Sequence, residues 1–128
     1  MMAEQHPIAT AINCIDGRVQ LQVMEYLKGK LGVDFVDMIT DLGPDGILAH
    51  LTDYEAIQAI KKRADISIQR HGSRHIAVIG HHDCTGNPVD AETHHSHIRS
   101  AVQNLRIWYR DAIVFGLWVN ERWEVEEI

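Results

Sequence analysis

Three short apolar runs, separated by stretches of helical periodicity, constrain this chain more than any other feature. The run "PIATAINCI" (7–15) is apolar at most positions behind a proline, as in a strand buried on both faces. "VDFVDMI" (33–39) and "HIAVIG" (75–80) repeat that character. Between the first two, Val19, Val23, Leu27 and Leu31 recur at helical spacing, and Gly32 is placed to end that helix. "TDLGPDG" (40–46) then reads as a loop. Thr52 with Glu55 makes a capping-box pattern, opening a helix whose Ile57, Ile60, Ala64 and Ile68 form a stripe closed by Gly72. Asp90 can cap a further helix carrying Ile98, Val102 and Leu105. "AIVFGLWV" and "RWEVEEI" finish the chain as strands, the second alternating apolar with acidic residues. Strands separated by helices predict an α/β domain: a central, mainly parallel sheet flanked by helices, with a C-terminal strand pair. There is no repeat, low-complexity tract or internal linker, and 128 residues suit a single domain spanning 1–128.

The reactive side chains cluster behind two of those strands. "NCIDGR" (13–18) puts Cys14, Asp16 and Arg18 on alternate positions, so on a strand they would share one surface. "GHHDCTG" (80–86) follows the third strand. Sites in open parallel sheets form at the carboxyl ends of strands, so Cys14 can approach His81 and Cys84. A His-x-x-Cys pair joined by a second thiolate suits zinc better than magnesium or calcium. Three protein ligands leave a fourth position open, as in a catalytic zinc site. Arg18 can hold the Asp16 carboxylate by paired hydrogen bonds and keep it ionised. Held so, Asp16 accepts a proton beside the metal; released, it becomes a fourth ligand and shuts the site. Both roles stay open at this level.

Composition excludes several classes. A net charge of -6 leaves no basic stripe for nucleic acid. No apolar run reaches membrane-spanning length, and "MMAEQHPIAT" lacks the build of a signal peptide, which predicts a cytoplasmic protein without membrane association. Two cysteines in that compartment point to ligands or reactive thiols and not to a disulfide. Of the nine histidines, His94, His95 and His97 lie along the edge of a helix's apolar face, where solvent or interface contact is expected before a second metal site. His6, His50, His71 and His75 read as surface or cap residues. Trp108, Trp118 and Trp123 read as core or dimer-contact aromatics.

Cys-x-Asp-x-Arg at 14–18 followed by Gly-His-x-x-Cys at 80–84 resembles the β-class carbonic anhydrase family. "VDFVDMITDLGPDG" resembles that family's second strand and following loop, and "IVFGLWVNERWEVEEI" its closing strand pair. The resemblance implies zinc on Cys14, His81 and Cys84, an Asp16–Arg18 dyad, a homodimer or higher homo-oligomer with sites near the interface, and reversible hydration of CO2 to bicarbonate by a zinc-bound hydroxide. Departures accompany it. Thr40-Asp41-Leu42-Gly43 stands where the family usually has Arg-Asn-Ala-Gly, and Thr85 intervenes before Gly86. Only thirteen residues precede Cys14, which predicts that the family's helical N-terminal arm is absent.

The residues also frame alternatives. Phe35 is expected to make the pocket apolar, and His82, beside the ligand loop, to carry protons. The altered loop suggests hydrolysis of carbonyl sulfide or carbon disulfide as a rival activity. A non-catalytic zinc domain, with Asp16 closing the metal site, is a second rival. A thiol-dependent phosphatase is excluded because the arginine would have to stand six positions beyond Cys14, where Gln20 is found.

Overall fold

The apolar run behind Pro7 forms strand β1, Ile8–Cys14, and nearly all of it is buried on both faces. The computed structural model describes residues 7–128, so His6 lies outside the described residues. A 3-10 turn at Gly17–Val19 leads into α1, Gln20–Leu31, followed by β2, Phe35–Asp41. Next come α2, Pro44–His50; α3, Tyr54–Gln69; and β3, His75–His81. The chain closes with α4, Ala91–Trp108; β4, Ile113–Val119; and β5, Val125–Glu127. The sheet order is β2-β1-β3-β4-β5, with the first four strands parallel and β5 antiparallel to β4. This is the expected α/β architecture with its C-terminal strand pair.

Alternation along the strands divides the interior into two cores. On one face Ile12, Ile39, Ile76, Val78, Val114 and Trp118 meet Leu48 of α2, Ile60 and Ala64 of α3, and Ile98, Ala101, Val102 and Leu105 of α4. On the other face Ala11, Ala77, Ile79, Phe115 and Leu117 meet Val19, Val23 and Leu27. Each fully buried branched side chain contributes about 1.5–3 kcal/mol of transfer free energy. Cys14 and Cys84 belong to this second, smaller core. Their thiols are therefore set among aliphatic groups before any ion is considered.

Local signals mark most boundaries. Gly32 ends α1 in the left-handed region at φ 68°, its N–H bonded to the Lys28 carbonyl. Asp90 caps α4, accepting from the Thr93 N–H. Two expectations are corrected. The cap of α3 is Asp53, which accepts from the Ala56 N–H at 3.1 Å, and not Thr52. "TDLGPDG" is not a loop: Thr40 and Asp41 complete β2, and α2 begins at Pro44, whose fixed φ and missing N–H suit a helix start. Leu48 of α2, fully buried in the larger core, holds that short helix in place.

Candidate metal centre

Strand order puts the ends of β1 and β3 side by side, each with a parallel neighbour beyond it. Cys14 is the last residue of β1, and His81 is the last of β3. The chain then turns through Asp83, at φ 58°, and brings Cys84 back toward His81. One ring nitrogen of His81 and the sulfurs of Cys14 and Cys84 lie within 4.8 Å of one another, and all three residues are buried. The two sulfurs are 3.9 Å apart as free thiols. His81 Nδ1 lies 2.7 Å from the His82 carbonyl, so it carries the proton and leaves the Nε2 lone pair toward the sulfurs. That Nε2 is buried and has no hydrogen-bond partner. A buried, bare nitrogen beside two thiols is what a thiophilic divalent ion would satisfy, and the donor set fits zinc.

Charge is already organised for such an ion. The contact with Cys84, together with the His81 ring and the backbone N–H groups of Gly43 and Asp16, holds Cys14 below the usual thiol range against the opposing effect of burial. Cys84 moves upward, because the neighbouring Cys14 sulfur and burial both disfavour a second thiolate. Burial depresses His81, but the Cys14 sulfur and the His82 carbonyl outweigh it, and the net direction is upward.

Asp16 and Arg18 meet as expected, but by a different geometry. β1 stops at Cys14, and Asp16 caps the 3-10 turn by accepting from the Arg18 N–H at 2.9 Å. The dyad therefore comes from a turn and not from alternation along a strand. Arg18 donates to Asp16 from Nη2 at 2.7 Å and from Nε at 3.0 and 3.2 Å. These bonds lower the Asp16 carboxyl to about 2. Asp16 Oδ2 lies 4.0 Å from His81 Nε2.

Several contributors carried no sequence signal. Arg18 also donates to the Asp83 carboxylate at 3.2 Å and to the Asp83 carbonyl at 3.1 Å, and its guanidinium sits 4.5 Å from the Trp123 ring centroid. Trp123 thus faces Arg18 from the β4–β5 turn, while Trp118 lies in the larger core and Trp108 packs against it. Asn13, fully buried, accepts from the Cys14 N–H at 2.8 Å and donates to the Val19 carbonyl at 3.0 Å, pinning the turn that carries the dyad. Only a buried asparagine beside the cysteine could have suggested that role.

Other expectations are revised. Phe35 opens β2 and pairs with Ile8, whereas Cys14 pairs with Asp41, so Phe35 stands at the opposite end of the sheet from the metal centre. His94 is not a solvent or interface residue: it is 1% exposed and bonded to an equally buried Asp45. His95 packs edge-on against Trp118, and His97 against His50. His50 and His71 are exposed as expected, whereas His75 is half-buried at the start of β3.

An open parallel sheet with two thiols and an imidazole converging at adjacent strand ends defines an α/β protein with three donors that could hold a soft metal. The chain belongs to the family described as "Putative carbonic anhydrase", whose model matches residues 4–128. Solved structures give the same fold. The β-carbonic anhydrase CcaA superposes with a TM-score of 0.58 at 12% identity, covering 98% of this chain and 75% of that one. A tetrameric β-carbonic anhydrase from Sordaria macrospora gives 0.50 at 15% identity, covering 99% and 83%. A search of curated proteins finds no match. Among the described residues no helix is long and apolar enough to cross a membrane.

Proposed function

We propose that this chain is a single zinc domain that holds the ion through Cys14, His81 and Cys84 and catalyses reversible hydration of CO2. The observation that carries the reading is the convergence of three soft donors within 4.8 Å, with the His81 Nε2 buried and unpartnered. Family membership supports it. Zinc, when bound, supplies Lewis-acid activation of water at neutral pH.

The chain's own residues do the rest. Asp16, kept ionised by Arg18, presents Oδ2 on the metal side to accept a hydrogen bond and so orient the reacting water. The Arg18 guanidinium offsets the negative charge of two thiolates and a carboxylate. Asp83 and Trp123 hold that guanidinium from its other sides, so it does not depend on Asp16 alone. Ile15 beside Cys14 and Leu42 beside Gly43 are exposed apolar side chains that suit a weakly polar, linear substrate. His82 is exposed next to the ligand His81 and is the candidate proton carrier. The hold of Arg18 on Asp16 favours an open site over the rival in which Asp16 closes the metal sphere. We further propose a homo-oligomer, as the Sordaria macrospora protein is described as tetrameric.

The test is stopped-flow CO2 hydration by zinc-loaded protein, with Cys84→Ser as control. A rate above buffer between pH 7 and 9 that disappears in the control supports the reading. No rate, with zinc bound at one equivalent, would return the site to a structural role. Sulfide release from carbonyl sulfide in the same preparation would instead favour the sulfur-analogue activity.

A further inference from the structure

A buried polar cluster lies directly behind the metal centre, on the opposite face of the sheet. Asp45, in the first turn of α2, is 1% exposed and accepts two hydrogen bonds. One comes from His94 Nδ1 at 2.6 Å, and the other from Asn87 Nδ2 at 3.1 Å. The Asn87 amide also lies 3.0 Å from His97 Nδ1, so its two N–H bonds are both used and its orientation is fixed. Three glycines leave room for this arrangement. A Cβ on Gly43 would lie 2.6 Å from Asn87 Cβ, one on Gly46 would lie 2.9 Å from Asn87 Cγ, and one on Gly80 would lie 2.7 Å from Asp45 Oδ2.

The two segments joined here are the start of α2 and the stretch that follows Cys84. Gly43, two residues before Asp45, lies against this second segment, for a Cβ on it would come 2.8 Å from Asn87 N, and its backbone N–H favours the Cys14 thiolate. Gly86 packs against Leu42 and Gly43, and the Gly86 and Asn87 N–H groups oppose the upward shift of the Cys84 thiol. The Asn87–Asp45 bond therefore ties the donors of one thiolate to the donor of the other. Apolar side chains of similar volume would pack these loops at least as firmly as a buried carboxylate, amide and imidazole. What the polar trio adds is direction, because each bond fixes an angle as well as a distance.

We propose that Asp45, backed by His94 and bonded to Asn87, is a positioning residue that sets how the Gly43 and Asn87 N–H groups meet the two metal-binding sulfurs, and so sets the affinity and electron donation of the site. N–H bonds to a ligating thiolate draw charge from the sulfur and restrict its direction, which tunes the ion it holds. The inference rests on the metal-binding reading above but not on CO2 as the substrate.

The test uses charge-balanced exchange. Asn87→Asp places two carboxylates face to face, whereas Asp45→Asn combined with Asn87→Asp restores one carboxylate and one amide in reversed order. Each full-length protein is loaded with Co2+ for its sulfur-to-cobalt charge-transfer band, and zinc affinity is measured by competition with a chromogenic chelator. Asn87→Asp should weaken zinc binding by roughly 10–100-fold and move the band, and the reversed pair should recover both to within about threefold. If Asn87→Asp does not fold, Asn87→Ala removes the same bond without adding charge and should shift both readouts in the same direction. Unchanged affinity and band in the folded single variant, or a folded reversed pair that recovers neither, overturns the proposal while the metal reading stands. A wild-type protein with no sulfur-to-cobalt band removes the metal reading, and this inference with it.

Discussion

Replacing Arg18 by Ala isolates what the guanidinium does for Asp16. Three of its contacts to the carboxylate, at 2.7, 3.0 and 3.2 Å, vanish in Arg18→Ala, while the backbone N–H bond at 2.9 Å survives. The guanidinium is the main reason that Asp16 lies at about 2 and not at its ordinary 3.8. In metal-free Arg18→Ala the carboxyl should therefore titrate higher, moving back toward its ordinary 3.8. At pH 3 a carboxyl with a pKa of 2 is about nine-tenths ionised, and one with a pKa of 3.8 about one-seventh, so a single pH separates the two cases. The sign for stability follows. A folded-state pKa depressed below the unfolded value gives stabilisation that is present above pH 3.8 and lost as pH falls toward 2. Arg18→Ala should flatten that part of the acid limb. Carbon NMR of the assigned Asp16 carboxyl measures the titration directly, and under the proposed activity the kcat/KM of zinc-loaded protein for CO2 should fall roughly 10–100-fold. An Asp16 that still titrates near 2 without Arg18 would refute the reasoning.

Chelating zinc should lower the thermal midpoint, because the ligands are part of the smaller core; at free zinc 100-fold above Kd the stabilisation is about 2.7 kcal/mol, and a Tm indifferent to zinc would count against the ligand set. Ile60→Ala, emptying a site 1% exposed in the larger core, should cost about 2–4 kcal/mol, read as a lower urea midpoint with unchanged slope. Asp53→Ala should cost about 1 kcal/mol as a lost helix cap, while Thr52→Ala should stay within about 0.5 kcal/mol. Trp123→Ala, removing the ring 4.5 Å from the guanidinium, should weaken the hold on Arg18 by about 0.5–1 kcal/mol, seen as loss of ring-current shifts on the Arg18 side-chain protons.

What could be read in advance was whatever lay in contiguous residues. The apolar runs of β1 and β3 and the 3.6-residue stripes of α3 and α4 are local signals, and they set the sheet and its flanking layers. Cys14, Asp16 and Arg18, then His81 and Cys84, sit in two short motifs at strand ends, so parallel pairing of β1 with β3 was enough to unite them. The failures were of two kinds. Gly43, Pro44, Asp45 and Gly46 are all turn formers, and the helix they open is held by burial of Leu48 in the larger core, a contact remote in sequence. Asp45 with His94, and Arg18 with Trp123, are pairs remote in sequence, and no periodicity announces them.

The order of the strands has a bearing on when the site comes into being. Cys14 and Cys84 stand 70 positions apart, and α1, β2, α2 and α3 all lie between β1 and β3 in the chain. Helices can flicker into existence early, but closing so long a stretch is slow and comes late. Until β3 pairs with β1, the two sulfurs are held on separate stretches of the chain. A nascent polypeptide would offer passing metal ions only single thiols, and a grip by all three donors would require that β1 and β3 have already paired.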